Sequence, residues 1–101
     1  MAQKIRKFEV QSGSAITLRC IRSDTNVGWG KKLTDGSVEI FIPINASELI
    51  RDKLVIEELS NLLSIKPKKI EILSGRKDYL IVTILDVFSE DVNKAFKDLI
   101  K

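Results

Sequence analysis

Seven cations and one indole are the residues whose types and spacing suit recognition chemistry. Lys66, Lys68 and Lys69 surround Pro67, Arg76-Lys77 follow Ser74-Gly75, and Lys31-Lys32 follow Trp29 inside Gly28-Trp29-Gly30. Lysine and arginine in loops contact phosphates of RNA or DNA without reading sequence, and a loop tryptophan stacks on a base. The same residues have a plainer use. Loop lysines keep proteins soluble, and a tryptophan between two glycines folds back over a core edge. The net charge is +3 and the pI about 9.1, far below the charge of a strong nucleic-acid binder. An anionic partner is permitted and not demanded.

Catalytic chemistry is poorly served. There is no histidine, which removes the commonest general base and metal ligand. The one cysteine, Cys20, has no histidine to activate it, and its strand parity places it on the core face as a small hydrophobe. No Gly-x-Ser-x-Gly elbow, Gly-x-Gly-x-x-Gly turn or Walker loop occurs. Carboxylates are plentiful but scattered. Glu57-Glu58 lies on a solvated helix face, and Glu90-Asp91 suits a helix N-terminus. Asp86 beside that pair would bind a hard cation only weakly. The expectation is a non-enzymatic protein with no catalytic residue, no metal and no cofactor.

Composition sets the frame. The 101 residues make one domain, large enough to bury a core without staples. With 44% apolar and 31% charged residues the chain is globular rather than disordered. A lone cysteine suits a reducing, cytoplasmic setting. No apolar run approaches the roughly 20 residues of a membrane span. The start, MAQKIRKFEV, lacks the apolar core of a secretory signal. Asn45-Ala46-Ser47 matches a glycosylation sequon that a cytosolic chain never presents to the enzyme. Richness in Ile, Lys and Glu is compatible with a thermophilic source.

The elements that position these residues follow from periodicity. Residues 1–7 are polar and basic and expected to fray, leaving 8–101 as the domain. Phe8 to Gln11 alternates and is a candidate extra N-terminal strand; Ser12-Gly13-Ser14 reads as a turn. Ile16, Leu18 and Cys20 alternate with polar residues in a half-buried strand. Arg22 to Lys32 reads as a loop. Asp35-Gly36 turns the chain into a strand through Val38, Ile40, Ile42 and Ile44, with Pro43 near its end. Asn45 as N-cap and Glu48 as its capping-box partner open a helix over about 46–64, carrying Leu49, Ile50, Leu54, Ile56, Leu59, Leu62 and Leu63. Pro67 stops it. Ile70 to Leu73 is a short strand, Ser74 to Asp78 a turn, and Tyr79 to Val87 a central strand. Ser89 caps a last helix with Val92, Ala95, Phe96 and Leu99 as its stripe.

The order is β-β-α-β-β-α. Each helix has one apolar face, so the fold class is α+β: a two-layer sandwich with a four-stranded mixed sheet and both helices on one face. On this register Ile16, Leu18, Ile40, Ile42, Ile70, Ile72, Leu80, Val82 and Ile84 face the helices. The open face carries Arg19, Ile21, Glu39, Phe41, Glu71, Leu73, Tyr79, Ile81 and Thr83. Arg19, Phe41 and Tyr79 there resemble an aromatic RNA platform. Glu39 and Glu71 oppose phosphates, however, and the apolar neighbours suit a dimer surface or a cover formed by the N-terminal segment.

These residues, in this order, resemble the YggU-like family of small proteins of unknown function, over roughly Ile16 to Leu85. The similar segments are Val27-Gly28-Trp29, Asp35-Gly36, Pro43, the helix with Leu54, Leu59 and Leu63, and Ile70 to Gly75. The family's Gly-Lys-Ala-Asn segment has no counterpart within Asn45 to Lys53, and of its Ser-Arg-x-Lys run only Arg76-Lys77 remains. The resemblance implies a two-helix, four-stranded fold more than any activity. Two functions stand as expectations. One is weak, sequence-tolerant binding of RNA or DNA through the basic loops and Trp29. The other is a protein-interaction or homodimer module using Arg19, Phe41 and Tyr79 on the open face.

Overall fold

The computed structural model describes residues 13–99. Five strands and two α-helices form an α+β domain: β1 (Gly13–Ser23), β2 (Gly28–Lys32), β3 (Val38–Pro43), α1 (Glu48–Leu63), β4 (Ile70–Arg76), β5 (Tyr79–Leu85) and α2 (Ser89–Leu99). The sheet order is β2-β3-β1-β5-β4. β1 runs parallel to β3 and antiparallel to β5, while β2–β3 and β4–β5 are antiparallel, so the sheet is mixed. Both helices send their buried residues into one core on one sheet face. No helix among the described residues is long and apolar enough to cross a membrane.

The expected core face is the observed one. Leu18, Ile40, Ile42, Leu80, Val82 and Ile84 are fully buried or nearly so, Ile70 is buried, and Ile16 and Ile72 pack at the margin. Each fully buried large aliphatic side chain contributes about 1.5–3 kcal/mol. Cys20 and Val38 complete this face, and Val55, Leu59, Val92 and Phe96 close it from the helices.

Several local expectations are corrected. The sheet has five strands, because Gly28 to Lys32 is an edge strand rather than loop. Two glycines give it little strand propensity. Pairing with β3 (Gly28 with Phe41, Trp29 with Ile40) overrides that propensity. The proposed extra strand at Phe8 to Gln11 lies outside the described residues. β1 already begins at Gly13, where a turn was expected.

Ser47, not Asn45, caps α1: its Oγ accepts from the Ile50 N–H at 3.2 Å. The helix core face is rotated from the expected one. Arg51, Val55 and Leu59 are buried, whereas Leu49 is 79% exposed and Ile50 is exposed too. Ser64 ends α1 in the left-handed region (φ 56°) with its N–H on the Ser60 carbonyl, and Pro67 then opens a 3-10 turn. β4 continues to Arg76, so its hairpin turn is only Lys77-Asp78, with Lys77 at φ 56°.

Candidate interaction face

The expected cations do not converge. Lys31 and Lys32 sit on β2, at one edge of the sheet. Lys66, Lys68 and Lys69 lead into β4, at the other edge. Four strand spacings, about 19 Å, lie between the edges. Arg76 and Lys77 are at the far end of β4 from Lys69, and seven residues put roughly 20 Å between those ends, where a four-residue strand had implied about 13 Å. Lys69 is ion-paired with Asp86. The Lys77 carbonyl accepts from the Arg51 guanidinium. Trp29 meets Phe96 edge to face, with ring centroids 5.0 Å apart, on the helix side of the sheet.

The open face gathers another set. Arg19 is directly opposite Tyr79 on one side and Glu39 on the other; Ile21 is directly opposite Phe41, and Thr17 opposite Ile81. The Arg19 guanidinium lies over the Tyr79 ring, 5.0 Å from its centroid. Its Nη2 donates to Asp35 Oδ2 at 3.1 Å, and its Nε to Ser37 Oγ at 3.3 Å. Asp35 in turn accepts from the Ser37 N–H (2.9 Å) and Ser37 Oγ–H (2.6 Å). These bonds, those from Ser37 first, hold the Asp35 carboxyl well below the usual range, at about 2. Arg19 is therefore ion-paired and stacked over an aromatic ring.

Around this centre Tyr79 and Ile81 are each 40% exposed, with Ile21 and Phe41 half-buried beside them, and Leu73, 56% exposed, sits at the bulge of β4. Gly30 shapes one side. A Cβ there would stand 2.9 Å from both Glu39 Cβ and Phe41 Cε2, so only glycine lets the Phe41 ring lie against β2. The result is a shallow depression of about 500 Å³ lined by Ile21, Gly30, Lys31, Glu39 and Phe41.

A second polar cluster was not legible in the sequence. Arg22 grips Asp78 with two hydrogen bonds (2.9 and 3.1 Å) and donates to the Ile44 and Ala46 carbonyls at 3.3 and 2.6 Å. Arg51, buried in α1, pairs with Asp52 at 3.0 Å and Asp78 at 3.5 Å. The Asp78 carbonyl accepts the Cys20 N–H at 2.7 Å. Hydrogen bonding from Arg22 lowers the Asp78 pKa. Burial pushes the Cys20 thiol up to about 11, which leaves it a protonated, unreactive group at neutral pH. Every charge here has a partner, and the cluster ties the start of α1 to the β4–β5 turn. Among the described residues no three His, Cys, Asp or Glu side chains stand where they would hold a metal ion.

Comparison with protein-family models, with curated proteins and with solved structures found no match. The functional reading therefore rests on this geometry.

Proposed function

We propose that this chain is a non-enzymatic protein-interaction module, a divergent member of the YggU-like kind, that docks its partner on the open face of the sheet. One observation carries the reading. Exposed Tyr79 and Ile81 stand beside half-buried Ile21 and Phe41 on that face, and the cation among them, Arg19, is ion-paired with Asp35. Exposed apolar surface grouped in this way marks association sites. Phosphate binding asks for several cations together, and here Lys31 stands beside Glu39, with Glu71 farther along the face. The basic loops, held at separate edges and ends, support the alternative of nucleic-acid contact less well.

Titration of the labelled protein with short RNA and DNA oligomers at low salt tests the choice. The expected result is no movement of the amide signals of Arg19, Phe41, Tyr79 and Ile81. Saturable shifts at those residues, weakening steeply with added salt, would overturn the reading.

A further inference from the structure

Resting on that sheet-face reading, we infer that Asp78, held from the α1 side, is a positioning residue for the docking face: it fixes Tyr79, and with it the stack on Arg19. Tyr79 is the first residue of β5 and follows the two-residue turn Lys77-Asp78. Its neighbour across the sheet, Arg19, makes with it the last register pair between β1 and β5. One bond lies beyond that pair, where the Cys20 N–H donates to the Asp78 carbonyl at 2.7 Å. Strand ends open before strand middles do. A ring at the end of a ladder is therefore only as fixed as the turn behind it.

That turn is held from outside the hairpin. Lys77 has φ 56°, in the left-handed region that disfavours a residue with a Cβ, and neither turn residue is glycine. The offsetting contacts come from α1 and β1. The Arg51 guanidinium donates to the Lys77 carbonyl and stands 3.5 Å from Asp78 Oδ1. Arg22 takes both Asp78 carboxylate oxygens, at 2.9 and 3.1 Å, the two-pronged geometry that fixes direction as well as distance. Its Nη1 donates to the Ile44 and Ala46 carbonyls on the link into α1. The Asp78 carboxylate is the group both guanidiniums share.

The consequence falls on the opposite side of the sheet. Without the carboxylate the left-handed turn relaxes, the last rung weakens, and the Tyr79 ring leaves the guanidinium. Arg19 is then held by Asp35 and Ser37 alone. A partner arriving on the open face must order both side chains again, and that ordering opposes binding. Asp78 thus acts on docking through Tyr79 while its own carboxylate meets Arg22 and Arg51.

NMR of the full chain tests this. The Cδ protons of Arg19 adjoin the guanidinium that lies over the Tyr79 ring, and the ring current displaces their signals upfield. Tyr79→Leu gives the undisplaced position. Asp78→Asn is expected to lose most of the displacement and Arg22→Gln part of it, each read at a temperature where the variant is folded. Leu59→Ala, which weakens the core and leaves the turn untouched, is expected to keep it in full, so the signal separates positioning from general destabilisation. Should Asp78→Asn misfold, Arg22→Gln, which leaves Asp78 beside Arg51, decides the matter. An Arg19 signal unmoved in the turn variants, or moved equally by Leu59→Ala, overturns the inference. A photo-crosslinking residue at position 81 carries the question to docking in cells. Asp78→Asn is expected to give fewer adducts than the wild type at equal amounts of folded protein, and an undiminished yield overturns the inference. Absence of adducts from the wild type overturns the sheet-face reading instead, and the Arg19 signal still decides whether Asp78 positions Tyr79.

Discussion

The guanidinium of Arg19 is stacked over Tyr79 at 5.0 Å while its Nη2 is held by Asp35 at 3.1 Å. A long, flexible cation is thereby fixed as part of a flat, mainly apolar surface. The same side chain left free would be a phosphate hook. Held between a carboxylate and a ring it becomes floor.

Asp35 reports on this arrangement directly. Its carboxyl, depressed from 3.8 to about 2 by Ser37 and then by Arg19, favours the folded state when ionised. That contribution is present above pH 4 and is lost as the pH falls through about 2. The carboxyl carbon shift, followed by NMR, is expected to titrate near 2 in the wild type. Ser37→Ala, which removes the Oγ–H bond and keeps the backbone N–H, and Arg19→Gln are each expected to raise the midpoint.

Asp78 joins Arg22 and Arg51 across 56 and 27 residues of sequence. Asp78→Asn leaves the buried Arg51 with Asp52 and weakens both other bonds. Breaking a fully buried pair costs about 3–5 kcal/mol; here Asp78 is 30% exposed and Arg51 keeps one partner, so about 1–3 kcal/mol is expected from urea unfolding.

Leu59→Ala is expected to cost about 2–5 kcal/mol, because the side chain is fully buried between helix and sheet. Leu49→Ala, ten residues earlier and exposed, is expected to stay within about 0.5 kcal/mol. Equal losses from paired denaturation curves would mean the helix face is misassigned.

Cys20 is expected to resist a thiol reagent in the folded protein and to react at once in denaturant. Its folded pKa of about 11 lies above the ordinary 9.0, so folding favours the protonated thiol. The associated stability is intact below pH 9 and declines as the pH rises toward 11.

Much of this architecture was legible in the sequence. Period-two alternation placed Leu18, Ile40, Ile42, Leu80, Val82 and Ile84 on one face and Arg19, Phe41 and Tyr79 on the other, because a strand's pleat leaves no choice. What the sequence hid depended on long-range pairing. Gly28-Trp29-Gly30 reads as loop by propensity and becomes strand only because β3 offers an edge. Leu49 and Ile50 look like core positions, yet they fall in the first turn of α1, and the buried position is Arg51, whose charge is met by Asp78 and Asp52. Local spacing cannot announce a partner 27 residues away. The division of the cations between two sheet edges was equally invisible, since it follows from strand order rather than from any motif.

That a partner docks on the open sheet face is tested by a photo-crosslinking residue placed at position 81 in cells, with position 49 on the exposed side of α1 as control. Adducts formed from position 81 and absent from position 49 are expected. Adducts from position 49 alone, or from neither position, would overturn the docking face.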